Sequence, residues 1–208
     1  MTGASAPLDT TQLLALAAAL GWASGLRLYA VVFLTGLAGF LGWVDLPAGL
    51  RVLQSPLVLG ASGSMLVLEF FADKIPGLDT LWDIGHTVVR IPDGAALAAA
   101  AFGGDSATWT TVVALLGGTL AATAHTAKAT TRAAVNTSPE PFSNIGLSLL
   151  GDAAVPAMLW LSWVHPLWFF VALAVALLVA VALTVGLFRF LRALLRRVAG
   201  RAGPATPA

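Results

Sequence analysis

Residues 166–190 read PLWFFVALAVALLVAVALTVGLFRF, an apolar run whose one charge, Arg189, stands next to its end. A helix of this length reaches past about 35 Å at 1.5 Å per residue, and the hydrocarbon core of a bilayer is about 30 Å thick. The run therefore reads as a membrane-spanning helix. The chain beyond it carries Arg192, Arg196, Arg197 and Arg201. It reads as a basic amphipathic segment lying on an anionic leaflet, with residues 200–208 disordered.

The rest of the chain has the same character. Its 208 residues are 58% hydrophobic and 10% charged, with a mean hydropathy of +0.88. A soluble domain carries about 25% charged residues, so a water-facing surface cannot be built here. A net charge of +1 leaves no basic field for nucleic acid. The absence of Cys removes disulfides, thiolate nucleophiles and Cys-ligated metals. Residues 1–9 bring no positive charge ahead of the first apolar block, which reads as a retained span rather than a cleaved signal.

Six further apolar segments precede the final run: 8–24, 26–43, 56–72, 80–102, 107–127 and 142–163. The expected fold is an all-α membrane bundle of about seven helices, some broken by Pro or Gly. The first segment is short and the fourth carries several charges. The first two also read as one helix broken around Gly25. Residues 1–8 form an N-terminal tail, 9–190 the transmembrane domain and 191–208 a cytoplasmic tail. By the positive-inside rule the Arg-rich tail is cytoplasmic. Counting back places Lys128 with Arg132, then Lys74, then Arg27 on that side, with Arg51 the exception. The reading is a multi-pass protein of the inner (plasma) membrane, N-terminus outside and C-terminus cytoplasmic. Trp22, Trp43, Trp82, Trp109, Trp160, Trp163 and Trp168 all fall near segment ends, as an aromatic belt would. Gly60, Gly63, Gly117 and Gly118 are the positions expected to let helices approach closely.

Polar residues inside apolar segments cost at least about 2.5 kcal/mol for a central charge and need a partner, water or a purpose. Two stretches collect them. One runs from Glu69 through Asp73, Lys74, Asp79, Asp83 and His86 to Arg90 and Asp93. Glu69 and Asp73 share a helix face, Pro76-Gly77 interrupts the chain, and Pro92 is expected to break it again just before Asp93. The other runs from His125, Lys128 and Arg132 through Asn136, Ser138, Glu140 and Asn144 to Asp152. Pro139 and Pro141 forbid one continuous helix there. Asp83-Ile-Gly matches Asn144-Ile-Gly, the trace of a parallel internal repeat of helical hairpins. That repeat would set Asp93 and Asp152 at similar depth, both facing the bundle interior.

Gly25-Leu-Arg-Leu-Tyr29, Glu69-Phe-Phe-Ala-Asp-Lys-Ile-Pro76 and Val135-Asn-Thr-Ser-Pro-Glu-Pro-Phe-Ser-Asn144 resemble the signatures of a bacterial membrane-protein family catalogued as domain of unknown function 4126. The resemblance covers about residues 10–185. It implies a multispanning membrane domain and no particular activity.

The residues themselves support several readings. Arg27 and Tyr29 read as an interfacial anchor or as groups facing a ligand. Glu69, Asp73, Asp83 and His86 are a donor set that could hold a divalent metal, or their carboxylates pair with Lys74, Arg90 or Lys128. His125 reads as a packing residue or a relay. Arg27, Lys74, Lys128 and Arg132 would make a cationic mouth. No catalytic triad, zinc-protease motif, phosphate loop or dinucleotide fingerprint is present. The expectation is a small transporter or channel for a small solute or ion. Its pathway would be lined by Arg27, Tyr29, Glu69, Asp73, Lys74, Asp83, His86, Asp93, His125, Lys128, Asn136, Ser138, Glu140, Asn144 and Asp152. Membrane lipids are the expected surroundings, no cofactor is expected beyond the metal alternative, and a homo-oligomer stays open. The alternatives are a membrane enzyme acting on a lipid headgroup with a metal at the Asp/His stretch, or a structural assembly protein.

Overall fold

A computed structural model describes residues 8–103, 106–137 and 142–201. The regular elements of the described chain are all helices. Its elements are α1 (Thr10–Phe40), a 3-10 helix (Ala48–Gln54), α2 (Pro56–Ala72), α3 (Leu78–Phe102), α4 (Ala107–Val135), α5 (Phe142–Val164) and α6 (Pro166–Arg201). The starts and stops follow local chemistry. Asp9 and Gln12 form a reciprocal capping box on α1. Ser55 caps α2 with Pro56 in its first turn. Gly77, at φ +88°, makes the turn into α3 that a side chain would resist.

The helix α1 is not a straight rod. Arg27 leaves helical geometry at φ −146° and ψ 78°. Leu8 and Gln12 from one side of this break line the same cavity as Leu34, Ala38 and Trp43 from the other. In a straight helix Gln12 and Ala38 would stand about 39 Å apart, so the chain doubles back at Arg27. Residues 10–26 and 28–40 are the two arms of a hairpin. The separation of segments 8–24 and 26–43 thus survives within one hydrogen-bonded element, broken at Arg27 rather than around Gly25.

The first arm is the axis of the molecule. Ala15, Leu16, Ala19, Leu20 and Ala23 have no exposed surface. α4 runs parallel to this arm and α3 antiparallel. Small residues bring the backbones together: a side chain at Gly21 would meet the Gly117 backbone, one at Gly25 the Ala121 carbonyl, and one at Gly94 the Ala121 side chain. α2 and α5 flank the second arm, where Phe33 packs on Gly63. The end of α2, the start of α3, the end of α4 and the start of α5 lie at one end of the bundle, and α6 runs back toward it. Both ends of α1, the end of α3, the start of α4 and the turn from α5 to α6 lie at the other.

Several expectations change. α3 runs unbroken through Pro92, because a proline removes one backbone hydrogen bond without forcing the helix to stop. Gly60 has nothing near it, whereas Gly117 and Gly118 do pack closely. Trp22 is 6% exposed and belongs to the core. The outer faces carry Leu57, Leu68 and Phe71 on α2, Leu81 and Val88 on α3, and Leu167, Val171, Val175 and Leu178 on α6, all exposed. Four helices, α1, α4, α5 and α6, are long and apolar enough to cross a membrane. The 3-10 helix and α2, bent by 70°, make a fifth if taken together. The arms of α1 are about 25 and 20 Å long, each short of a bilayer core.

The glycine contacts generate a paired test. Gly21→Ala, with backbone 2.6 Å from the new Cβ, should destabilise by about 1–3 kcal/mol. Gly60→Ala, in open space, should be neutral or stabilising by up to about 1 kcal/mol. Thermal unfolding of the purified variants reads both, and equal melting temperatures would contradict the packing described.

Candidate functional site

The break in α1 meets a cluster of charges drawn from four other helices. Arg27, 1% exposed, pairs one guanidinium nitrogen with Asp73. The other pairs with Asp152 at 2.8 Å and donates to the backbone oxygen and Oγ of Ser148 at 3.1 and 2.8 Å. Asp73, fully buried at the end of α2, also receives Lys128 at 3.0 Å and Arg132 at 3.0 Å. Lys74 closes on Asp152 at 2.9 Å and sits over the Phe70 ring.

A second node lies deeper between α2 and α3. Arg90, with no exposed surface, holds Glu69 at 2.7 Å and Asp83 at 2.7 Å. Asp83 is shared with Lys128 at 3.1 Å and Arg132 at 3.5 Å. Asp79 organises the start of α3, accepting from the backbone of Gly77 and Thr80, and faces Arg132 at 3.7 Å. Asn136 donates to Thr80 Oγ1 at 3.0 Å and reaches Asp79 at 3.4 Å.

The network therefore contains Arg27, Lys74, Arg90, Lys128 and Arg132 against Glu69, Asp73, Asp79, Asp83 and Asp152. It is electrically balanced. An isolated ion costs several kcal/mol to bury, and only close, hydrogen-bonded partners offset that cost. Most of these charges touch more than one opposite charge, which meets that condition. Lys128 Nζ also donates to the backbone oxygen of Leu26 at 3.0 Å, next to the break in α1.

The sequence-derived residues fall into three groups. Arg27, Glu69, Asp73, Lys74, Asp83, Lys128, Asn136 and Asp152 come together in the network. His125 adjoins it through Thr87 at 2.8 Å and Arg90 at 3.4 Å. Tyr29 and His86 form a separate pair: the Tyr29 hydroxyl lies 3.1 Å from His86 Nε2. His86 Nδ1 lies 2.8 Å from the Trp82 carbonyl, and its ring stacks on Trp82. If Nδ1 carries the proton, it donates to that carbonyl and Nε2 accepts from the tyrosine. Asp93 is half-buried and makes no ion pair or hydrogen bond among the described residues. Asn144 is 1% exposed, and neither amide atom has a hydrogen-bond partner among the described residues. Ser138 and Glu140 lie outside the described residues.

Glu69, Asp73, Asp83 and His86, the donor set considered for a metal, do not converge: each carboxylate is turned to a cation and His86 to Tyr29. No three His, Asp or Glu among the described residues are grouped to hold a metal. Asp93 and Asp152, paired by the repeat, have different surroundings. Arg90, Arg132, Asp79 and Ser148 were not on the pathway list, although helical spacing carries a trace of them. Arg90 stands seven residues after Asp83. Ser148 falls midway between Asn144 and Asp152.

A cavity of about 240 Å³ opens beside the network between α1, α4, α5 and α6. Trp22, Leu147 and Leu183 form its walls, and Arg27, Asp73 and Lys128 its charged side.

The deeper node yields a direct energetic test. Arg90 is the only ion-pair partner Glu69 has among the described residues. Arg90→Met should destabilise the fold by about 3–5 kcal/mol. Adding Glu69→Gln should recover part of that loss, because it removes the stranded charge. Chemical denaturation of the single and double variants measures the coupling, and a double variant as unstable as the sum of its parts would contradict it.

Residues 14–185 match the family model described as Domain of unknown function (DUF4126). Comparison with curated proteins and with solved structures gives no match. The family match takes in α2 to α5 whole, α1 from residue 14 and α6 as far as residue 185, and the chain belongs to the DUF4126 family.

Proposed function

We propose that this chain is a multi-pass protein of the inner (plasma) membrane that passes a small solute or ion along a pathway beside the Arg27 network. The apolar outer faces and buried charges invert the arrangement of a water-soluble protein, which supports lipid as the solvent. Lys74, Lys128, Arg132 and the end of α6 share one end of the bundle. That end is the cytoplasmic one by the positive-inside rule. The hairpin of α1 starts and ends on one side, and α2 to α6 as five further passes then put the N-terminus outside and the C-terminus inside.

The observation that carries the transport reading is the broken hairpin. Two short arms meet at a charge network, and the backbone oxygen of Leu26 beside the break accepts from the Lys128 side chain. Discontinuous helices of this kind build solute sites in secondary transporters. Arg27, Lys128 and Arg132 each reach at least two carboxylates. A solute or proton entering the adjacent cavity could be accommodated by exchanging partners rather than stranding a charge. Asp152, 20% exposed at its side chain, is the most exposed carboxylate of the network.

Two measurements test this. Single Cys residues placed at Ile75 and at Thr137, in a parent that has none, should label only from the cytoplasmic side. Labelling of either from outside would contradict the orientation. In proteoliposomes the wild type should pass ions or small solutes above the background of empty vesicles. Asp152→Asn should stay folded, since Arg27 keeps Asp73, but lower that flux severalfold. A wild type that passes nothing across a panel of inorganic ions, carboxylates, amino acids and sugars would leave the network a structural device.

A further inference from the structure

A second cavity lies at the end of the bundle away from the network, where both ends of α1 meet the end of α5. It holds about 670 Å³, within the range of small-molecule sites. Three of the chain's seven tryptophans, Trp43, Trp160 and Trp163, line it together with Gln12 and Asp45. No Lys or Arg lines it. Asp45 makes no ion pair or hydrogen bond among the described residues, and Arg51 turns instead to the carbonyl oxygen of Leu46. Trp43 is 71% and Trp160 54% exposed. Trp160 meets His165 edge to face at 5.9 Å. Gln12 donates to the backbone oxygen of Trp163 at 3.4 Å, tying the start of α1 to α5.

Tryptophans near a membrane boundary commonly act as anchors. Anchors need neither to share one cavity nor to be accompanied by an unpaired carboxylate. An indole face carries negative electrostatic potential and attracts cations more strongly than any other side-chain ring. A small hydrated ion gains little from this, because it must first shed water. An alkylated ammonium sheds almost none and fits apolar walls.

We propose that this cavity binds an organic cation of the quaternary-ammonium class. Trp43, Trp160 and Trp163 supply ring faces, and Asp45 supplies the counter-charge. The volume exceeds a single trimethylammonium group and leaves room for an attached chain or headgroup. This site is separate from the Arg27 network and does not depend on transport.

Calorimetric titration of the full chain, in a maltoside detergent at matched ionic strength, tests the assignment with choline and with 3,3-dimethylbutan-1-ol, its uncharged isostere. Choline should bind saturably and the alcohol at least about tenfold more weakly. Trp43→Ala and Trp160→Ala should each weaken choline by about three- to thirtyfold. Asp45→Asn, at an exposed position, should fold normally and weaken it severalfold, and Asp45→Glu should restore it. Protein in phosphatidylcholine vesicles that no longer takes up choline identifies a lipid headgroup as the occupant. Undiminished uptake, equal to that in phosphatidylglycerol vesicles, identifies a soluble cation. Equal binding of choline and the alcohol, or no binding of choline in detergent or in phosphatidylglycerol vesicles, would overturn the proposal and leave the three indoles as anchors.

Discussion

The structure depends on the burial of one guanidinium. Arg27 stands where α1 reverses, with almost no exposed surface, and a charge so placed must be matched within hydrogen-bonding distance. Asp73 from the end of α2 and Asp152 from α5 match it. Meeting that demand creates others. Asp73 draws in Lys128 and Arg132 from α4. These share Asp83 with Arg90, which in turn neutralises Glu69. The network spreads until it is balanced, and in doing so it fixes α2, α3, α4 and α5 around the apex of the hairpin.

Close packing of small residues holds the helices around the network. The first arm of α1 is built from Ala, Gly and Leu and lies against Gly94, Gly117 and Ala121 of its neighbours. Backbones that approach this closely leave little free space along that arm. The exterior is the reverse, with Leu, Val and Phe facing outward on α2, α3 and α6. Charges tied together inside and hydrocarbon outside is an arrangement with a physical rationale in lipid, where an unpaired ion inside would be costly and apolar surface outside is not.

Much of this was legible from sequence. Hydropathy and the Pro and Gly interruptions located α2 to α6 to within a few residues at most starts, because apolar runs and helix stops are local signals. The shared face of Glu69 and Asp73 was legible for the same reason. α1 was harder: a single residue in non-helical geometry separates its arms, and its position depends on which carboxylates Arg27 can reach. Arg90 and Ser148 acquire roles only through partners tens of residues away. Pro92 was misleading because surrounding packing carries the helix past it, and Gly60 because a small residue reveals nothing about whether a neighbour is present. Trp22 followed the belt rule by position, yet its ring packs in the core five residues from the reversal of α1.

The most direct measurement is the distance between the ends of α1. Spin labels at Thr11 and Phe40, both exposed, can be read by pulsed electron resonance in the otherwise unaltered chain. A hairpin reversed at Arg27 predicts a separation below about 25 Å, allowing for helix packing distance and label length. A distribution centred near 44 Å, the length of a straight helix over those residues, would contradict the reversal and the network built on it.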